Sequence, residues 1–385
     1  MLPSPTLPRE LHSARQLTDH LFAVLRADSW YERPVPERHR LLFYLGHLEA
    51  FDWNLLARDA LDLPSFHPGF DRLFAFGIDP GEGHLPDDRP SDWPAIPEVE
   101  RYNQLVRETL DAALARVPQP MLEAAIEHRL MHAETLAYLL HQLPSERKLF
   151  QPAPPVPLSA APRACAVEIP AGSAELGRCR GAGFGWDNEF DAHTVLVPAF
   201  SIARYKVTNG EYLEFVRAGA APPAFWVQRQ GAWFFRGMFE EVPLPLDWPV
   251  YVTQCEADTY ARWRGMALPS EAQWHRAAAG QEPSSNTDFR HWDPISVTAD
   301  DAAGAAPAQL IGNGWEWTST VFGPFPGFQP FSFYSNYSEP FFDGQHYVLK
   351  GGSPRTAARL LRPSFRNWFR PSYPYVYATF RLVQS

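Results

Sequence analysis

The sequence is poor in cysteine and contains no long apolar run. Three cysteines in 385 residues are too few, and odd in number, for a disulfide framework, so we expect a reducing compartment. No apolar stretch approaches the ~20 residues that cross a bilayer. The first residues also lack the basic and apolar regions of a secretory signal. We therefore expect a cytoplasmic protein with no membrane partner.

Positive charge is also scarce. The formal net charge is -10, and the lysines are Lys148, Lys206 and Lys350. A negative field of this kind repels phosphate backbones, which argues against nucleic acid as a partner. Apolar residues make up 45% of the chain and charged residues 20%, which excludes disorder along the whole length. The composition permits an enzyme but indicates no particular reaction.

Hydrophobic spacing divides the chain into a helical first part and an irregular second part. Apolar residues recur at helical intervals in four segments, residues 11–27, 40–61, 99–117 and 121–143. Residues 62–97 form a long connection rich in Pro, Gly and Asp, which is typical of a binding loop or a lid. Four helices with one long crossover predict a four-helix bundle over residues 1–150. Residues 151–160 are a proline-rich linker.

Residues 161–385 combine short apolar segments with glycine turns and aromatic clusters. The pattern predicts strands at residues 195–197 and 347–349. It also predicts short amphipathic helices at residues 211–216 and 255–264. This second domain is therefore predicted to be α+β with a low content of regular structure.

Three histidines of the helical part are candidates for a metal site. His128 and His132 are four residues apart in the fourth predicted helix, so they share one face. His47 lies among apolar neighbours in the second predicted helix, and facing helices of a bundle commonly build metal sites. Three neutral imidazoles without a thiolate suit Fe, Zn, Cu or Ni. Two alternatives without a metal remain. The spacing of His128 and His132 is then a coincidence, and His47 is a hydrogen-bonded histidine of the core.

Two glutamates accompany these histidines. Glu49 and Glu134 each lie two residues beyond a candidate ligand, so each points to the opposite side of its helix. Neither is expected to be a ligand. Support of a ligand through another helix, a solvated charge and a salt bridge within the bundle all remain open as roles.

Four motifs of the second domain resemble those of the formylglycine-generating-enzyme-type domain, a variant of the C-type lectin fold. In family order they are residues 207–212 (VTNGEY), 267–274 (ALPSEAQW), 312–318 (GNGWEWT) and 349–353 (LKGGS). We assign most of these residues to turns, ring packing and buried polar networks. The formylglycine enzymes themselves bind copper through a late cysteine pair. No cysteine follows Ser364 in this chain, so that activity is not expected.

Joined to a bundle with the pattern His-x3-His-x-Glu, this domain resembles the ergothioneine-type sulfoxide synthases. Supporting matches are residues 71–74 (DRLF), 184–189 (FGWDNE) and 249–252 (PVYV). The resemblance implies an α+β fold class, with a DinB-like four-helix bundle followed by the C-type-lectin-like domain. It also implies that His47, His128 and His132 bind Fe(II). The implied substrate is hercynine, the trimethylated betaine of histidine, joined at imidazole C2 to sulfur or selenium with the use of O2.

The chain departs from the family at positions that bind substrate. Relatives that use γ-glutamylcysteine carry Asp and Arg where this chain has Phe369 and, nearby, Tyr373. Phe cannot pair with an ammonium group, so the γ-glutamylcysteine interpretation is weakened. Met131 stands where the family often has a Gln that hydrogen-bonds the imidazole, a bond Met cannot donate. Asn367 and Trp368 match the segment beside the quaternary ammonium, although ring packing explains Trp368 equally well.

These departures favour a neutral, polyhydroxylated chalcogen donor. We assign substrate binding to Asn367, Trp368, Phe369, Arg370, Tyr373 and Met131. The favoured function is selenoneine synthase with a 1-selenosugar, and the alternatives are ergothioneine sulfoxide synthases that use cysteine or γ-glutamylcysteine. A non-catalytic small-ligand binding module is the alternative from another class. Some relatives use a tyrosine as proton donor, and Tyr334 and Tyr337 lie in the corresponding region without a secure alignment, so no catalytic residue is assigned.

Overall fold

The computed structural model describes residues 6–77, 85–152, 156–157, 159–299 and 306–384. The chain divides into two compact units, residues 1–151 and 152–385. Parts of the predicted crossover (78–84) and of the predicted linker (153–155 and 158) lie outside the described residues. In the described part, every helix is too short or too polar to cross a membrane.

Within its described residues, the first unit is built from five α-helices. They are α1 (Leu7–Phe22), α2 (Leu41–Asp52), α3 (Pro68–Phe76), α4 (Ile96–Asp111) and α5 (Gln119–Gln142). A π-helix, Trp53–Asp59, continues α2, and short 3-10 turns lie at Pro90–Asp92, Leu114–Arg116 and Ser145–Arg147. Helix α1 packs against α5, and α2 packs against α3, α4 and α5. The predicted DinB-like bundle, and with it the α+β fold class, is confirmed.

Helix α3 corrects the prediction of an irregular connection over residues 62–97. It begins at Pro68, a residue suited to the first helical turn, and His67 Nδ1 caps it by accepting the Phe70 N–H at 3.0 Å. It ends at Gly77, whose φ of 78° stops the helix. Nine helical residues between Pro- and Gly-rich flanks give too short a periodic pattern to be recognised.

Helix α1 ends five residues before its predicted end. The helical pattern runs to residue 27, but Leu25 instead pairs with Lys148 in an isolated antiparallel bridge. The N–H of Leu149 donates to Val24 O at 2.8 Å, and the N–H of Arg26 donates to Arg147 O at 3.2 Å. Tertiary pairing therefore takes the backbone groups that a longer α1 would have used.

The second unit contains small sheets and three α-helices within the described residues. Its strands are β1 (Ala166–Ile169), β2 (Gly172–Leu176), β3 (His193–Val197), β4 (Phe200–Ala203), β5 (Trp226–Arg229), β6 (Ala232–Arg236), β7 (Glu241–Pro243), β8 (Trp315–Val321), β9 (Tyr347–Lys350), β10 (Asn367–Phe369), β11 (Ala378–Thr379) and β12 (Val383–Gln384). Its helices are α6 (Asn209–Arg217), α7 (Gln254–Trp263) and α8 (Glu271–Ala278). The strand orders are β1-β4-β12, β10-β9-β8-β11, β2-β3 and β5-β6-β7.

Sequence signals account for where these three helices begin. Each starts with a capping box. The side chain of a Ser or Thr accepts the backbone N–H of a residue three positions later, and the side chain of that later Glu or Gln accepts the backbone N–H of the Ser or Thr. The predicted strands at 195–197 and 347–349 lie within β3 and β9. The predicted helices at 211–216 and 255–264 correspond to α6 and α7, with the latter shifted by one residue.

Gly46 allows α3 to lie close to α2. A Cβ atom at Gly46 would lie 2.5 Å from the ring of Phe74, which is fully buried on α3. Real Cβ contacts are not this short, so the helix pair requires glycine at this position.

Gly46→Ala is therefore expected to lower the free energy of unfolding by about 1–2 kcal/mol. Overpacking costs about 1–3 kcal/mol, which exceeds the gain of about 1 kcal/mol in helix propensity. Gly69→Ala in α3 is the matched control, because a Cβ there would meet the His67 ring at 3.6 Å, an ordinary contact. Urea unfolding of both variants measures the difference. Equal stability of the two would show that α3 packs on α2 differently.

Candidate metal centre

Helices α2 and α5 bring together His47, His128 and His132. One nitrogen from each ring lies within 4.8 Å of the other two. His47 Nε2 and His132 Nε2 are 3.2 Å apart, and the ring centroid of His128 lies 4.5 Å from that of His132. Two nitrogens about 2.1 Å from one ion are about 3 Å apart at a right angle, so the 3.2 Å spacing fits two ligands of one metal ion.

A backbone carbonyl orients the first of these rings. His47 Nδ1 lies 2.7 Å from Phe74 O on α3. A carbonyl oxygen accepts hydrogen bonds and cannot donate them, so Nδ1 carries the proton and Nε2 keeps its lone pair toward His132. Metal-binding histidines are commonly held by a bond of this kind from the other ring nitrogen.

Aromatic rings hold the other faces of the imidazoles. The His128 ring stacks on Phe51 with centroids 3.4 Å apart and 9° between planes. His47 stacks on Phe43 at 4.8 Å. His128 is buried, while His47 and His132 are partly buried. These contacts restrict the rings to one orientation, which favours a preformed site.

The protonation state of the three histidines suits a metal ion. Burial lowers the pKa of His47 to about 4, and it places the pKa values of His128 and His132 well below the ordinary value for histidine. The positive charge of Arg129 acts in the same direction on all three. At neutral pH the rings are therefore neutral, as ligands must be. The residues present fit a divalent metal ion.

A buried cluster of charges lies beside the histidines, on α2 and α5 and on the helices α1 and α4 that pack against them. Arg129 Nη2 is 2.7 Å from Asp52 Oδ2 and 3.0 Å from Glu49 Oε2. Arg107 Nη2 is 2.7 Å from Glu49 Oε1, and Arg15 Nη2 is 3.8 Å from Asp52 Oδ2. Burial alone would raise the pKa of Glu49, but the three guanidinium groups lower it to about 2. Of the roles open to Glu49, the structure therefore shows the salt bridge.

Arg129 links the two helices that carry the histidines. It follows His128 in α5, and its Nη2 donates to the backbone carbonyl of Leu48 at 3.0 Å. Leu48 in turn follows His47 in α2. Its role was not predicted from the sequence. Its signal in the sequence was an arginine directly after a candidate ligand in a predicted bundle helix.

The predicted substrate residues of the second unit lie on and after β10. This strand pairs with β9 in antiparallel register, with Trp368 opposite Val348. Side chains alternate along a strand, so Trp368 points to one face of the sheet and Asn367 and Phe369 to the other. The Trp368 ring stacks on Phe322 at 4.2 Å with 7° between planes. The structure thus places Trp368 apart from its two strand neighbours.

Phe369 and Tyr373 lie in direct contact. Their rings stack with centroids 5.3 Å apart and 7° between planes. A turn brings them together, in which the N–H of Tyr373 donates to Arg370 O at 3.1 Å, and Arg370 is exposed. Met131 belongs to the first unit, where it precedes His132 in α5 and is partly buried. Phe369 and Tyr373 therefore form one aromatic pair.

Comparison with known proteins covers both units. Residues 10–154 match the DinB superfamily, and residues 155–304 and 284–385 match the sulfatase-modifying factor enzyme 1-like domain. A protein named hercynine oxygenase from Mycolicibacterium smegmatis is 32% identical over 100% of this chain and 99% of its own length. The hercynine oxygenase of Mycolicibacterium thermoresistibile is 31% identical over 98% of this chain and 95% of its own length. Ergothioneine biosynthesis protein 1 of Schizosaccharomyces pombe is 28% identical over 94% of this chain, and the match spans 54% of that longer relative.

Arg129→Met is expected to lower the free energy of unfolding by about 3–5 kcal/mol, because it leaves buried carboxylates without their closest cation. Arg58→Met is the control. Arg58 pairs with Asp59 at 2.9 Å on the surface, where a salt bridge contributes about 0–1 kcal/mol. Urea unfolding at pH 7 compares the variants with the parent chain. A loss below about 1 kcal/mol in Arg129→Met would mean that the cluster is solvated.

His132→Ala is expected to weaken binding of a divalent metal by more than about 100-fold, because even residues that only support a ligand contribute about 10- to 100-fold. His20→Ala, which removes an exposed histidine from α1, should leave the affinity unchanged. Titration of the metal-free chain with Co(II), followed by its visible absorption, measures both affinities. Stoichiometric, unweakened binding in His132→Ala would exclude the three-histidine site.

Proposed function

Because the chain belongs to the ergothioneine-type sulfoxide synthase family, we propose that it is an Fe(II)- and O2-dependent oxygenase that joins sulfur or selenium to imidazole C2 of hercynine. The observation that carries this proposal is the cluster of His47, His128 and His132 in a bundle of the family's type. Relatives that share the whole length of the chain are named for the oxygenation of hercynine.

The residues of the cluster support iron as the metal. His47, His128 and His132 would hold the ion through three neutral imidazoles, a donor set that would leave other positions for the reactants. When bound, Fe(II) would provide positions for the reactants and would pass the electrons of the substrates to O2. The chain itself holds the three rings in their neutral forms and fixes His47 through Phe74 O. Other divalent metals fit the same donor set, so metal analysis belongs to the test.

The overall reaction balances with O2 as the oxidant. Hercynine loses the hydrogen of C2, the donor loses the hydrogen of its thiol or selenol, and a C–S or C–Se bond forms. One oxygen atom of O2 goes to the chalcogen, and the other leaves as water with the two hydrogens. Four electrons pass to O2, two from forming the new bond and two from oxidising the chalcogen. The product is a sulfoxide or selenoxide.

Hercynine presents a quaternary ammonium group, which aromatic faces bind. We assign this contact to Trp368, with Asn367 beside it in the chain. Trp368 is partly buried and its ring is held by Phe322 at 4.2 Å, so it offers a fixed surface. Met131 lacks the hydrogen-bond donor of the Gln found in relatives, so its contribution is an apolar contact beside His132.

The stacked pair of Phe369 and Tyr373 supports a donor without a zwitterionic head group. An Asp and an Arg at these positions would bind an ammonium and a carboxylate, whereas two stacked rings offer an apolar face and one hydroxyl. A 1-selenosugar fits this surface, because sugars bind through stacking on rings and through hydroxyl bonds. We therefore place the chain in the selenoneine synthase branch. Cysteine and γ-glutamylcysteine are the competing donors.

Hercynine-dependent O2 uptake by the anaerobically iron-loaded chain tests the proposed function. We expect uptake with 1-selenoglucose at a rate at least about tenfold above that with cysteine or γ-glutamylcysteine, because neither amino acid finds an ionic partner at Phe369 and Tyr373. Mass spectrometry identifies the product. Phe369→Asp with Tyr373→Arg should shift the preference toward γ-glutamylcysteine.

The outcomes separate the candidate functions. O2 uptake with cysteine but not with the selenosugar would show that the chain is an oxygenase that uses an ergothioneine-type donor. A chain that binds neither iron nor O2, but binds a small ligand, would be the binding module from the other class. His132→Ala should show neither iron nor uptake.

A further inference from the structure

The segment Trp186–Glu189 belongs to a motif that the proposed function leaves without a role. Its four side chains are between 0% and 1% exposed, and three of them are polar. Buried polar side chains are costly unless they are bonded, so their partners show what the segment holds in place. The partners lie in two separate stretches of the second unit.

The first stretch leads into β10. Glu189 Oε2 accepts hydrogen bonds from Arg362 Nε at 2.8 Å and from Ser364 Oγ at 2.6 Å. Arg366 Nη1 lies 3.3 Å from the backbone oxygen of Asn188 and donates to it. All three donors lie within the five residues before Asn367. The segment Trp186–Glu189 therefore fixes the approach to the strand that carries Trp368.

The second stretch ends at Ser338. The Ser338 hydroxyl donates to Asp187 Oδ1 and accepts from Asn188 Nδ2, which is 2.9 Å away. Ser338 is fully buried, so both bonds are shielded from water. The preceding residue, Tyr337, stacks on Trp186 with centroids 4.0 Å apart. The Trp186 ring thus holds the side chain of Tyr337, and the bonds of the Ser338 hydroxyl hold the residue that follows it.

Tyr337 in turn contacts Trp368. Their ring centroids are 5.4 Å apart with 78° between planes, an edge-to-face arrangement. A continuous series of rings therefore runs from Trp186 through Tyr337 to Trp368. Trp368 is thus restrained by its own strand and by Tyr337, and the same four-residue segment holds both.

We propose that Trp186–Glu189 is the positioning element of the hercynine site, and that Ser338 and Tyr337 transmit its position to Trp368. The inference rests on the proposed function, in which Trp368 binds the quaternary ammonium. These are positioning residues, because none of them needs to touch the substrate. A segment that only stabilised the domain would change the unfolding midpoint without a specific effect on hercynine.

Ser338→Ala tests the inference in the full, iron-loaded chain under anaerobic conditions. It removes the bonds to Asp187 and Asn188 and should raise the Kd for hercynine about tenfold, because misplacement of a binding group by about 1 Å has large effects. Ser284→Ala is the matched control, since it removes another buried serine hydroxyl, one that accepts from the Asn286 N–H at 3.3 Å. Calorimetric titration gives the Kd, and thermal unfolding gives the midpoint of each variant. We expect similar midpoints and a weakened Kd only in Ser338→Ala.

Two further variants keep the inference testable if Ser338→Ala folds poorly. Asp187→Asn retains an oxygen that accepts from Ser338 and should bind hercynine within about twofold of the parent chain. Tyr337→Leu removes the ring contact with Trp368 and should match the weakening in Ser338→Ala. Parent-like binding in Tyr337→Leu, or equal weakening in Ser338→Ala and Ser284→Ala, would overturn the inference. If the parent chain itself binds iron but no hercynine, the proposed substrate is wrong, and the positioning role is lost with it.

Discussion

The contact between α2 and α5 is the interaction on which the first unit and its metal centre depend. Along one side of this contact, His47 faces His132 with 3.2 Å between their Nε2 atoms. Elsewhere along the same two helices, Arg129 bonds Asp52 and the carbonyl of Leu48. A shift of one helix along the other would break both sets of contacts. The buried ion pair and the metal ligands therefore require the same register of the two helices.

Part of this arrangement could be predicted from the sequence. The spacing of His128 and His132 places them on one face of any helix, and the apolar setting of His47 directs it toward the bundle interior. Other contributions have no sequence signature. The Phe74 carbonyl that orients His47 belongs to a nine-residue helix whose Pro- and Gly-rich flanks make it difficult to predict. Every residue has a backbone carbonyl, so the sequence does not indicate which one accepts this hydrogen bond. The partners of Arg129 likewise depend on how three helices, α1, α2 and α5, pack together.

The second unit shows the same division between what sequence motifs predict and what the structure adds. Motifs in family order are enough to identify the fold, because turns and ring-packing residues are fixed by the architecture. The presentation of single side chains is a different matter. Trp368 and Phe369 are adjacent in sequence, yet they point to opposite faces of β10, and this depends on a three-residue strand too short to predict. The contact of Phe369 with Tyr373 depends on the turn that follows.

The protonation states in the bundle show why its two polar clusters have opposite characters. Both clusters are buried, and burial disfavours charge in each. Arg129 and Glu49 remain ionised because each lies within 3.0 Å of an opposite charge. For the histidines, burial disfavours the protonated form and Arg129 adds a repulsive positive charge, so they release their protons instead. The same arginine therefore ties the helices together and favours neutral imidazoles. A carboxylate in place of Arg129 would disturb the register of the helices. It would also favour protonated imidazoles, which bind a cation less well.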